Sequence, residues 1–178
     1  MESSDSAAPF PAYSYVPGGP WPHPNRSRQG HSFGTANIGK DLSGREKRVR
    51  FLRGVELFNA GYYWESHEVW EGLWHAEGRR GPTADVLKAL IKLAAAGVKV
   101  REGRENGVRT HSGRAALLFA SAAEQGGAIQ LGLDLHLWAL RSRELAQNPP
   151  RDPGPSNAPV SRVFAFQIEI EQPEPVGE

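Results

Sequence analysis

Apolar residues recur at helical spacing through the middle of the chain, and this pattern predicts up to five helices. In chain order, the predicted spans are about 45–59, 62–77, 83–101, 106–125 and 133–147. Glycine, asparagine and proline lie between these spans and are expected to end the helices. Asn106 is the expected cap of the fourth helix. The third span is apolar on nearly every side, apart from a stripe of lysines, which predicts a central helix.

The two ends of the chain have a different character. Residues 1–8 are expected to be disordered, and residues 9–43 form an extended arm rich in proline, glycine and aromatic residues. The helical bundle domain covers 44–148. Residues 149–178 are a Pro-rich linker followed by a strand-like tail, in which Phe164, Phe166, Ile168 and Ile170 alternate with other residues. This tail could pair with the arm, pack on the bundle or pair across a dimer, and the pattern does not choose.

These spans predict an all-α fold: a compact bundle of four to five helices with an extended N-terminal arm and a short C-terminal strand-like tail. The chain has 178 residues, with 21 Lys and Arg against 20 Asp and Glu, and no cysteine. This near-neutral balance argues against nucleic-acid binding, which is kept only as a minor hypothesis for the basic first helix. No apolar run is long enough to span a bilayer, and we expect a cytoplasmic protein. A homo-oligomer stays open.

The second helix has the highest density of aromatic and ionisable residues, because three tryptophans and a His-Glu pair fall between Tyr62 and His75. At 100° per residue, His67 shares a face with Tyr63, Trp70 and Trp74. A charged group on such a face is costly unless it is paired. We therefore expect a structural hydrogen bond between His67 and Glu71, one turn further on.

A metal site is the competing interpretation of the same residues. His67, Glu68 and Glu71 form His-Glu-x-x-Glu, one residue away from the His-Glu-x-x-His of zinc proteases. A divalent metal bound by His67 and Glu71 needs further ligands. His75 lies about 12 Å along the helix from His67 and cannot serve. Ligands from elsewhere would come from four other histidines, which are His23, His31, His111 and His136.

Cations supply a third interpretation of the cluster. Lys92 belongs to the lysine stripe of the third helix, and it could face Glu68 or Glu71 in a salt bridge or in a charged pocket for a small polar ligand. Arg48 projects into the apolar face of the first helix, either with its stem packed and its head in water or as the partner of a buried carboxylate. His111 aligns with apolar residues, and we expect a satisfied core histidine there.

Residues 54–74 resemble a helical family of uncharacterised function, domain of unknown function 309. The resemblance rests on Phe58-Asn59, an aromatic at the entry to the second helix, and His-Glu-x-x-Glu-x-x-Trp ending at Trp74. Weaker similarity extends over about residues 10–125. The resemblance implies a compact all-helical domain in an intracellular setting and supplies no reaction. It also implies an arm that lays His23 and His31 across the bundle near His67.

Two functional hypotheses follow from these residues. The leading one is a non-catalytic binding or scaffold module in which the His67-Glu68-Glu71 cluster is mainly structural. Its rival is a metal-dependent hydrolase, or another enzyme of a small polar ligand, that uses the same three residues with an arm histidine.

Overall fold

The computed structural model describes residues 8–35 and 41–171, and helices dominate it. The elements are α1 (Gly44–Asn59), α2 (Tyr63–Ala76), α3 (Pro82–Arg101), α4 (Glu105–Gly126), β1 (Ile129–Gln130), β2 (Leu133–Asp134) and α5 (Leu135–Gln147). The predicted helical bundle is confirmed. The predicted disordered N-terminus, apart from residue 8, lies outside the described residues, as do 36–40 of the arm and 172–178 of the tail.

Side-chain caps fix the starts of α1 and α5. The Ser43 hydroxyl accepts from the Glu46 N–H, while the Glu46 side chain accepts from the Ser43 N–H, which is a capping box. Asp134 caps α5 in a similar way. The cap expected of Asn106 is wrong: α4 begins at Glu105 after an N-cap at Arg104, and that N-cap makes no side-chain capping bond.

The core is built around α3, which packs between α2 and α4. Leu90, Leu93 and Ala94 are completely shielded from solvent. Ordinary close packing of such side chains is the main stabilising term in a domain of this size. The helix predicted to be apolar on nearly every side is therefore packed against neighbours on several of its sides.

The arm and the tail both lie on the bundle. The Ser14 N–H donates to the Pro159 carbonyl (2.8 Å), so the two segments also meet each other. Phe164 and Phe166 stack on Phe58, with ring centroids 5.6 and 6.4 Å away. Of the three placements left open for the tail, the structure shows packing on the bundle. Up to residue 171, the tail forms no ladder of strand pairs.

Across the described residues, no helix combines the length and the apolar character that crossing a membrane requires.

Candidate functional site

The second helix brings three potential metal ligands together. One donor atom each from His67, Glu68 and Glu71 lies within 4.8 Å of the other two, and all three residues are half-buried. Glu71 follows Glu68 by three residues and His67 by four, so one turn of the helix brings its side chain beside both of them. The arrangement therefore follows from the helix itself and does not depend on a distant loop.

The imidazole of His67 does not make the predicted hydrogen bond with Glu71. Its Nδ1 lies 3.5 Å from Glu68 Oε1 and has no hydrogen-bond partner, although the atom is buried. The ring lies nearly parallel to the indole of Trp64, at a centroid distance of 6.3 Å. This orientation turns Nδ1 toward Glu68, the next residue in the chain, and away from a bond with the following turn.

The carboxylate of Glu68 is stabilised in its charged form. The neighbouring His67 ring lowers the pKa of the Glu68 carboxyl against the opposing effect of burial, and Asn25 acts in the same direction as His67. The Asn25 amide donates to Glu68 Oε2 (3.3 Å). Because it is ionised at neutral pH, Glu68 can act as a metal ligand without first losing a proton.

Lys92 on α3 and His111 on α4 both interact electrostatically with residues of the cluster. Burial lowers the pKa of Lys92, repulsion from Arg114 and Lys88 lowers it further, and Glu71 raises it. Among the described residues, Lys92 makes no ion pair with Glu68 or Glu71, so the salt bridge expected there does not form. Glu71 acts on this ammonium group from beyond contact distance.

His111 differs from the satisfied core histidine expected from the sequence. Its ring is half-buried, and its Nδ1 is buried without a hydrogen-bond partner. Burial lowers its pKa to about 4, with further lowering by Lys92, Lys99, Arg114 and His67. The ring is therefore neutral at pH 7 and sits in a positively charged neighbourhood.

The arm histidines reach α2 but not the three-residue cluster. His31 Nε2 lies 3.0 Å from Glu65 Oε1, and His31 Nδ1 lies 2.9 Å from the Ser32 hydroxyl. His23 packs against the Trp64 indole (5.6 Å), and its Nδ1 accepts the backbone N–H groups of Asn25 and Arg26. The arm thus packs on α2, but both proposed arm ligands make their hydrogen bonds with groups outside the three-residue cluster.

Arg48 also lies away from the cluster. Its Nη1 donates to the Leu131 carbonyl at 3.4 Å, and its guanidinium lies 5.6 Å from the centre of the Phe51 ring. These contacts fit a side chain whose stem packs on apolar surface while its head finds a polar partner.

Glu65 is the residue that sequence reasoning missed. Its side chain is only 7% exposed, and it accepts from the Ser14 hydroxyl (2.8 Å), the Tyr15 N–H (3.0 Å) and the His31 ring. A buried carboxylate needs such partners. The sequence held one signal for it: an arm with too many aromatic residues for a solvated tail must pack on some surface.

An open cleft of about 680 Å³ lies between the arm and the bundle. Glu68 and Glu71 line it, together with Glu65, Arg53 and His75. Two of the three cluster residues therefore face a space large enough for a small polar molecule.

These features define a helical-bundle protein with a candidate cation site on its second helix. A family model described as Domain of unknown function (DUF309) matches residues 51–110. The match includes His67, Glu68, Glu71 and Lys92, whereas the arm and the tail lie outside it. No curated protein and no solved structure matches the chain significantly.

Proposed function

We propose that this protein is a binding module that takes a divalent cation at His67, Glu68 and Glu71. The observation that carries the proposal is the convergence of one imidazole nitrogen and two carboxylate oxygens within 4.8 Å. This mixture of nitrogen and oxygen donors suits zinc, manganese or ferrous iron better than calcium, which prefers six or more oxygen ligands.

The three protein donors leave coordination positions open. Structural zinc sites are usually closed by four protein ligands, whereas sites that exchange ligands keep a position for water or for a bound molecule. Because Glu68 and Glu71 line the cleft beside the arm, the open positions would face that cleft. The cation is therefore proposed as an anchor for a small polar ligand.

The purely structural interpretation of the cluster has less support. It depended on a hydrogen bond between His67 and Glu71, and the His67 Nδ1 has no hydrogen-bond partner. The hydrolase hypothesis uses the same residues and adds a reaction. We propose binding because convergence of ligands is what the geometry provides.

Calorimetric titration of Zn²⁺ and Mn²⁺ into chelator-treated protein without a histidine tag tests the proposal. We expect one saturable site per chain, and we expect Glu71→Gln and His67→Gln each to weaken binding at least about tenfold. Glu124→Gln is the matched control, since Glu124 is exposed on α4. Failure of both metals to saturate a site, or equal binding by the parent and both cluster variants, would refute the proposal.

A further inference from the structure

The first turn of α4 leaves backbone donors unused. The N-cap residue Arg104 provides no side-chain capping bond. The N–H groups of Glu105, Asn106 and Gly107 have no acceptor among the described residues, and the first bond at this end runs from the Val108 N–H to the Arg104 carbonyl. Free N–H groups and the helix dipole make such an end attractive to anions.

A buried arginine lies at the same place. The Arg101 side chain is only 3% exposed, its Nε lies 2.7 Å from Asp152 Oδ2, and its Nη2 donates to the Ala158 carbonyl at 2.7 Å. Its Nη1 is buried without a hydrogen-bond partner. Leaving a charged donor unsatisfied is costly, so this nitrogen points to an acceptor that the protein itself does not provide.

Arg101 and Glu105, the first residue of α4, both border a cleft of about 430 Å³, here called the α4 cleft, between the start of α4 and the segment after α5. The cleft is lined by Arg101, Arg104, Glu105, Arg151 and Asp152, with several uncharged residues. Among the described residues, neither Arg104 nor Arg151 has a carboxylate within ion-pair distance. The lining therefore contains more positive than negative charge.

The two acidic residues of the α4 cleft are already engaged. Glu105 Oε1 accepts from Arg109 Nη2 at 2.6 Å. Asp152 pairs with Arg101 through Oδ2, and its Oδ1 accepts from the Gly154 N–H and the Ser161 hydroxyl. Neither carboxylate neutralises Arg104 or Arg151, and among the described residues these two arginines have no ion-pair partner.

We propose that the α4 cleft binds the phosphate group of a small phosphorylated molecule. Helix N-terminal amides and guanidinium groups are the donors that recognise phosphate oxygens. Here the first residue of α4, Glu105, borders one cleft together with three arginines. A tetrahedral dianion can accept from several directions at once, which a planar monocarboxylate does less well. The cleft belongs to α4 and the tail, so the proposal is independent of the cation site on α2.

Titration of inorganic phosphate at constant ionic strength, followed by amide NMR spectra, tests this proposal. We expect a saturable shift of the amide of Glu105, the first residue of α4 and part of the lining of the cleft. Arg104→Gln and Arg151→Gln should each weaken binding about tenfold, because each removes one charged donor. Arg143→Gln is the matched control: Arg143 is an exposed arginine of α5 outside the cleft, and the variant should bind like the parent.

Arg101→Lys adds a second measure, since lysine keeps a positive charge but lacks the planar fork. A folded Arg101→Lys protein should lose most of the phosphate affinity. If that variant does not fold, the two exposed arginines decide the matter. The proposal is overturned if phosphate gives no saturable shifts, if acetate binds as tightly as phosphate, or if Arg104→Gln and Arg151→Gln bind phosphate like the parent.

Discussion

The side chain of His111 shows how its neighbours set the charge of a single residue. Burial and the surrounding cations Lys92, Lys99 and Arg114 lower its pKa to about 4. In the unfolded chain a histidine titrates near pH 6.5. Between these two values the unfolded chain binds a proton that the folded protein excludes, so folding is opposed as the pH falls through this window.

Replacing His111 should remove that contribution. We expect the free energy of unfolding of the parent to decrease from pH 6.5 to pH 4, and His111→Leu to show a shallower decrease over the same interval. Urea denaturation at half-unit pH steps measures both slopes. Equal slopes in the two proteins would show that His111 titrates alike in the folded and unfolded states.

The composition of the α2 cluster could be predicted, but its hydrogen bonds could not. Helical periodicity places His67 and Glu71 one turn apart whatever the rest of the fold does. The rotamer of His67, however, depends on the stacked Trp64 ring and on Glu68 beside it. Glu65 depends on arm residues about fifty and thirty-four positions away, and no local pattern reports such contacts.

Among elements, long helices with strong punctuation were the predictable part. Gly61, the 78–82 turn and Gly103 separate the first four helices at nearly the predicted places. The two-residue strands β1 and β2 were not predicted, because alternation cannot be recognised over two positions. They are joined through Leu131 and Gly132, which both have positive φ (54° and 80°), and this defines the turn.

Close contact between α1 and α2 gives a prediction about glycine. A Cβ added at Gly54 would lie 2.2 Å from Trp70 Nε1, whereas one added at Gly113 would have no atom within 4 Å. We expect Gly54→Ala to destabilise the protein by about 1–2 kcal/mol, since overpacking exceeds the gain in helix propensity. Gly113→Ala, the matched control, should stabilise it by about 0.5–1 kcal/mol. Thermal denaturation should therefore shift in opposite directions, and a shift in the same direction would contradict the close contact.

At the scale of the whole molecule, the arm and the tail complete the surface of the bundle. The sequence predicted both segments from their composition, but it could not place them. Their anchors join residues far apart in the chain, such as Tyr63, whose hydroxyl accepts the Val163 N–H at 3.0 Å. Contacts between residues so far apart in the chain form only in the assembled fold, so no pattern of neighbouring residues predicts them.

The arm should detach when its anchor on α2 is removed. Glu65→Ala deletes the acceptor of three arm groups and leaves the buried Ser14 hydroxyl without its partner, which should cost about 2–3 kcal/mol. Trypsin should then cut faster at Arg26 and Arg28, which are exposed on the arm. Glu124→Ala, at an exposed position of α4, should be cut at the parental rate. Equal rates in the two variants would mean that the arm stays docked on the bundle without Glu65.

Asn59 determines how the tail is positioned along the bundle. Its carboxamide donates to the Ile168 carbonyl (2.9 Å) and accepts the Ile168 N–H (2.7 Å), so one side chain imitates a rung of a β-ladder. The apolar repeat of the tail has a period of two, and sliding by two residues would present a similar series of rings and branched chains to the bundle. The Asn59 carboxamide, which bonds both backbone polar groups of Ile168, therefore sets a register that the apolar side chains alone would leave undetermined.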